Sequence, residues 1–212
     1  MPLESPLLAG LPGLEHGFGT RRDGPWTPVS TARLRQTHSA TVIDAGHAGE
    51  LGEGDALITA TPGLWLEVRT ADCVPILLVD TELRVIAAIH AGWRGTAAKI
   101  AVETISHMSR QFGTQPGNLR AVIGPSIGPC CFEVGPEVAA IFPQECVQPL
   151  ATGEKAHLDL VTANRLQLAA AGVPDRQLEA LRLCTVCLPD QFHSFRRDKG
   201  SGRMVSAIRI AY

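Results

Sequence analysis

Residues 69–95 read RTADCVPILLVDTELRVIAAIHAGWRG, and how this stretch folds back on itself decides the architecture around it. Two apolar runs, 74–80 (VPILLVD) and 83–90 (LRVIAAIH), are separated only by Thr81 and Glu82. Runs of this length and composition predict two strands of an antiparallel hairpin. A two-residue connection pairs Asp80 with Leu83 and, counting outward, sets Cys73 directly opposite His90. Their Cβ atoms would then lie ~4.5–5.5 Å apart. That separation suits two ligands of one metal ion, or a thiol and its base. Thr-Glu is not a favoured primed-turn pair. A four-residue loop over the same centre keeps this register, whereas three or five residues shift it by one.

Outward from the hairpin, further strands are expected at 64–68, 120–124 and 204–210. Thr96 is placed to cap a helix carrying Ala101, Ile105, Met108 and Phe112, with Gly113 ending it. Asp159 is placed to cap a second helix running through Ala171, with Gly172 and Pro174 beyond. Pro136 opens a short third helix over 136–142. Strands mixed with helices, and no repeat or linker, predict one α+β layered domain over residues 1–212.

The composition narrows the partners. A formal net charge of −2 without clustered Lys and Arg argues against nucleic acid and against an anionic membrane surface. VPILLV, at 74–79, is the longest uninterrupted apolar run and is far too short to span a bilayer. The N-terminus lacks the pattern of a signal peptide, so a cytoplasmic protein is expected. In that compartment six cysteines point to metal binding, catalysis or burial rather than to disulfides.

His38, in RQTHSATV, offers a third donor beside Cys73 and His90. Two histidines, one cysteine and a position left for water make a catalytic zinc arrangement. The plain alternative is a surface His38, a buried Cys73 and a hydrogen-bonded His90 at a strand end. A rival set, Cys184, Cys187 and His193 in CTVCLPDQFH, lacks a second C-x-x-C to complete a structural site. Vicinal Cys130 and Cys131 could help complete it, though adjacent residues rarely ligate together, and packing is the reading favoured there.

The segments RTADCVPILL (69–78), AAIHAGWRGTAAKI (87–100), AVIGPSIGPCCFEVGPEV (121–138) and CTVCLPDQFHSFRRDKGSGRMVSAI (184–208) resemble the laccase-domain family of purine nucleoside phosphorylases, also called YfiH-like or polyphenol oxidase. The resemblance runs from about RLRQTHSATV to the C-terminus. It implies a single layered α/β sandwich domain with mixed sheets, and a zinc site of His38, Cys73 and His90, the catalytic residues. It further implies phosphorolysis of adenosine, inosine, guanosine and methylthioadenosine, with adenosine deamination as a second activity. Zinc can activate water for attack on the purine C6, and nearby cations can hold phosphate for attack on the ribose C1′.

Within that picture Arg94 and Arg196 are candidate phosphate clamps. Gln36 is a candidate to contact the base or orient the site, and Asp55 in GDALIT is either a site residue or a turn residue. GPSIG, at 124–128, offers backbone N–H groups to an anion or forms a structural turn. The substrates expected are purine nucleosides and phosphate, acted on by a monomer or small homo-oligomer. Between GFGTRRDG (17–24) and RQTH the chain departs from the family, because only PWTPVSTARL replaces a longer segment of the pocket wall. Phe192-His193 likewise replaces the family's usual aromatic pair.

Three other readings use the same residues. A cysteine or zinc amidohydrolase editing cell-wall precursors would take Cys73 as nucleophile and a histidine as base. A copper polyphenol oxidase ranks behind zinc, because seven scattered histidines are too few for a multicopper site. A single blue-copper site would need a methionine beside the ligands, and neither Met108 nor Met204 is so placed. A non-enzymatic binding protein would have no reason to keep all three donors.

Overall fold

The computed structural model describes residues 1–212 except 25, 28, 29, 152, 154, 201 and 212. The hairpin strands, Val74–Asp80 and Val85–Ala91, form the middle of a six-stranded mixed sheet. Leu119–Ile123 and Leu178–Ala180 extend it on one side, and Ala56–Thr59 and Val42–Asp44 on the other. Every residue of the two hairpin strands is buried, since both faces of this sheet are covered. Leu77, Val79, Ile86 and Ala88 meet Leu66, Val68 and Ile208 of a second, five-stranded sheet. That sheet contains Leu14–Phe18, Met204–Ile210, Trp65–Thr70, Thr31–Arg35 and Gly49–Glu53. On the opposite face, Ile76, Leu78, Ala87 and Ile89 pack with Ile105 and Met108 of the helix Ile100–Phe112 and with Leu168 of Leu160–Ala170. Burial of each Val, Leu, Ile or Met side chain here contributes roughly 1.5–3 kcal/mol. The architecture is therefore an α+β sandwich of two mixed sheets and a helical layer, with a small antiparallel sheet of Glu133–Val134, Ala156–Leu158 and Val147–Pro149.

The hairpin register departs from the two-residue turn expected of the sequence. Asp80 pairs with Val85, and Pro75 rather than Cys73 stands opposite His90. The cause is the Asp80 carboxylate, whose Oδ1 accepts from the backbone N–H of Glu82 (3.0 Å) and Leu83 (3.1 Å). Arg84 follows in the left-handed region at φ 52°, so the returning strand starts at Val85. The partner of each residue moves by two places, which preserves side-chain parity. Cys73, just before its strand, thus lies diagonal to His90 on the same face.

Thr96 does not cap the first helix. Gly92 opens a separate short helix, Trp93–Ala97, and Lys99 at φ 61° breaks the chain before Ile100–Phe112. Thr96 is buried instead, its hydroxyl accepting from Asn164 Nδ2 (3.0 Å). Gly113, at φ 80°, ends the helix as expected, and Asp159 caps Leu160–Ala170 through the Thr162 N–H (2.9 Å). The third helix is confined to Pro136–Ala139. Among the described residues no helix is long and apolar enough to cross a membrane.

Candidate metal centre

Three neighbouring strand ends meet at one end of the central strands of the six-stranded sheet. Ala56–Thr59 pairs antiparallel with Val85–Ala91, a register that sets Asp55 against His90. The His90 N–H donates to the Asp55 carbonyl (2.7 Å), and His90 Nδ1 donates to the fully buried Asp55 carboxylate (2.8 Å). The same carboxylate gathers the loop that bears His38. It accepts from the backbone N–H groups of His38 (3.0 Å) and Ser39 (2.6 Å) and from the Ser39 hydroxyl (2.7 Å). Asp55 thereby holds one histidine by its ring and the other by its backbone, with His38 bent to φ 61°. The two imidazole rings meet edge to face, 4.9 Å between centroids. Cys73 is half-buried beside them, Sγ 3.8 Å from His38 Nε2.

Charge organises this cluster. Burial raises the Cys73 thiol, but hydrogen bonds with His38 and His90 outweigh it and bring it down to about 6. Burial also opposes the His90 imidazolium, yet Asp55 and Cys73 hold it up at about 9. Against its own burial, Asp55 is kept well below the usual carboxylate range by His90 and Ser39. Without metal, the site between about pH 6 and 9 is a carboxylate–imidazolium–thiolate chain.

The donors fit a metal ion. One ligand atom from each of His38, Cys73 and His90 lies within 4.8 Å of the others. The 3.8 Å Cys73–His38 separation is close to the ~3.6 Å between sulfur and nitrogen around a tetrahedral zinc. Asp55 occupies His90 Nδ1 and leaves Nε2 as the donor, the usual way a metal-binding imidazole is oriented. Gly92 supplies the room: a Cβ there would stand 2.8 Å from His38 Cδ2 and 3.1 Å from Cys73 Sγ.

Two depressions meet over the cluster, sharing His38, Ala71, Cys73 and Phe195. The smaller, about 300 Å³, is walled by Trp93, Arg94, Phe132 and Arg196, and the larger, about 460 Å³, by Leu34, Gln36, Arg69 and Arg203. Arg94 is exposed, its guanidinium 4.3 Å above the Trp93 ring. Arg196 is anchored: both terminal nitrogens donate to the Glu133 carbonyl (3.1 Å), and its backbone N–H donates to Asp72 (2.6 Å). Gln36 lines the larger depression, but its amide is engaged at both ends by the backbone of Arg69 (2.8 Å each). It braces the wall.

The segment 124–128 is a structural turn, not an anion nest. The N–H groups of Gly124, Ser126 and Ile127 donate to the carbonyls of Pro75, Leu183 and Asp72, and that of Gly128 donates to Cys184 Sγ. In the front segment, Pro25, Pro28 and Val29 lie outside the described residues. Trp26 there packs edge to face on Trp65, 5.3 Å between centroids.

The rival cysteine set also takes a different form. His193 is not part of it: its backbone N–H meets Met204 Sδ (3.1 Å), and its ring lies against Gly202. Cys130 and Cys131 join Cys184 and Cys187 instead, with the four sulfurs within 4.8 Å of one another. Cys130 and Cys187 are exposed, so packing does not explain the group. Partial burial raises the Cys184 thiol, but backbone N–H donors, Gly128 first, bring it down to about 7.

Fold and site together define a class: layered α/β proteins with a two-histidine, one-cysteine cluster at one end of the central strands. The chain belongs to the multi-copper polyphenol oxidoreductase laccase family, whose sequence profile matches residues 25–211. It is 48% identical over 164 residues to a purine nucleoside phosphorylase of Bacteroides thetaiotaomicron, covering 74% of this chain but only 60% of that relative. It is 42% identical over 192 residues to adenosine deaminase RL5 of an unknown prokaryotic organism, covering 82% of this chain and 72% of the relative. The crystal structure of YlmD from Geobacillus stearothermophilus superposes with a TM-score of 0.90 at 29% identity, over 98% of this chain and 94% of that one.

Proposed function

We propose that residues 1–212 act as one zinc-dependent catalytic domain that phosphorolyses purine nucleosides (adenosine, inosine, guanosine and methylthioadenosine) and deaminates adenosine. The observation that carries this reading is the His38–Cys73–His90 cluster opening into two joined depressions walled by Arg69, Arg94, Arg196 and Arg203. The names of the two relatives supply the substrate class. Bound by these three donors, zinc supplies a Lewis acid with one coordination position open to water or substrate.

The chain's own residues do the rest. Asp55 fixes the tautomer and orientation of His90 and holds the His38 loop in place. Trp93 and Phe132 offer apolar surface on which a purine can stack, next to the Arg94 guanidinium. Arg94 is free of protein acceptors among the described hydrogen bonds and ion pairs and is suited to a phosphate oxygen pair, whereas Arg196 has its guanidinium on Glu133 and shapes the wall. The six free cysteines accord with a cytoplasmic setting.

The family description speaks of copper, but the surroundings favour zinc. Met108 is buried beneath the sheet, and the Met204 sulfur accepts from the His193 N–H, so neither provides an axial thioether. A cysteine amidohydrolase acting on cell-wall precursors draws on the Cys73 thiol held near 6 beside an imidazole. A panel of nucleosides, with and without phosphate, separates the readings through release of base, ribose phosphate and ammonia. Phosphate-dependent base release that vanishes with zinc removal supports phosphorolysis. Base release that persists without metal and is blocked by thiol alkylation overturns it.

A further inference from the structure

We propose that Cys130, Cys131, Cys184 and Cys187 form a second, independent metal site, a tetrathiolate zinc centre that ties two turns together beside the catalytic pocket. The distances suit it. Cys187 Sγ lies 3.6 Å from Cys130 Sγ and 3.4 Å from Cys131 Sγ. A zinc ion at ~2.3 Å from each sulfur sets sulfurs ~3.8 Å apart on a tetrahedron. A disulfide would need ~2.05 Å. The adjacent pair reaches the same point because the turn bends there: the N–H groups of Cys131 and Phe132 both donate to the Gly128 carbonyl (3.0 Å each).

The two turns also meet through a backbone hydrogen bond to one of the sulfurs. The Gly128 N–H, from the first turn, donates to Cys184 Sγ of the second at 3.3 Å. Arg197, ion-paired with Asp198 (2.7 Å), pins the second turn by donating to the carbonyls of Thr185 (2.8 Å) and Val186 (3.0 Å). Exposure of Cys130 and Cys187 gives an ion a path in. On binding, four thiols release their protons to solvent and form four Zn–S bonds, with no change of oxidation state. Four protein donors leave no open position, so the site is structural.

Its place in the fold states what it holds. Thr185, next to Cys184, donates its hydroxyl to Asp72 Oδ1 (2.6 Å), and the Ile127 N–H from the other turn donates to the Asp72 carbonyl (2.9 Å). Asp72, at φ 85°, directly precedes Cys73. The second zinc would therefore secure both turns that grip the residue before the catalytic cysteine.

The test is metal uptake by reduced, chelator-stripped protein refilled with zinc alone or cobalt(II) alone. Wild type should bind one ion per cluster, two per chain. Cys73→Ala and Cys187→Ser should each bind one. With cobalt, Cys73→Ala should keep intense sulfur-to-cobalt absorption and Cys187→Ser should lose most of it. Should Cys187→Ser fail to fold, Cys73→Ala alone decides. A metal-free Cys73→Ala whose other cysteines stay reactive toward a thiol reagent in excess zinc overturns the proposal. So does a disulfide among the four in protein purified under reducing conditions.

Discussion

The two cysteine-containing clusters are built on opposite plans. Cys73 and His90 stand on or beside strand ends of a sheet buried on both faces, His38 stands on an exposed loop beside them, and a fully buried carboxylate orients both histidines. Cys130, Cys131, Cys184 and Cys187 stand on turns, half of them exposed, with backbone N–H groups as their support. The first has three donors facing joined depressions, the second four donors that close on themselves. Rigid support with an open position suits chemistry, and closed coordination between turns suits bracing.

The comparison can be broken first at Cys73. Cys73→Ala should remove the metal of the three-donor cluster and abolish nucleoside cleavage, with the far-ultraviolet circular dichroism unchanged. Asp55→Asn comes next. It leaves the His90 ring without its anionic partner and weakens the grip on the His38 loop, so zinc affinity should fall ~10–100-fold by competition with a chelator. Gly92→Ala should lower zinc occupancy by a smaller factor, since the new Cβ pushes on His38 and Cys73 without removing either. Arg94→Ala should raise the KM for phosphate several-fold with zinc content unchanged. An unchanged phosphate KM would assign that arginine to the surface.

The pH dependence of the metal-free site sharpens the contrast further. A thiol lowered to about 6 is thiolate above that pH, so alkylation of Cys73 in stripped protein should climb through about pH 6 and then level off. An ordinary cysteine would keep gaining rate toward 9.0. Zinc should suppress the reaction. Because His90 holds its proton to about 9, zinc affinity should rise with pH up to that value as the competing proton is lost.

Much of this was legible in the chain. Val74–Asp80 and Met204–Ile210 coincide with the apolar runs, and Asp159 and Gly113 mark helix ends where their side-chain and backbone chemistry places them. Cys73 and His90 were brought together for a reason only half right. The register slipped by two places because Asp80 organises a four-residue turn, and the period of two in a strand kept both side chains on one face. Asp55 was harder to read. Ala56–Thr59 is four residues long and gives little periodicity, yet placing it beside Val85–Ala91 would have set Asp55 against His90. Gly49–Glu53, the edge strand GELGE, has almost no strand-forming residues and is held by its neighbour. The four-cysteine cluster depends on sulfur contacts 56 and 57 positions apart along the chain, a separation no local pattern announces.

The central claim is that nucleoside chemistry depends on metal held by His38, Cys73 and His90. The direct measurement is phosphate-dependent release of hypoxanthine from inosine by zinc-stripped wild-type protein as zinc is returned. Activity should be absent at the start and recover in proportion to zinc bound, while Cys73→Ala in the same titration stays inactive. Full phosphorolysis by the stripped protein, or recovery in Cys73→Ala, would contradict the account.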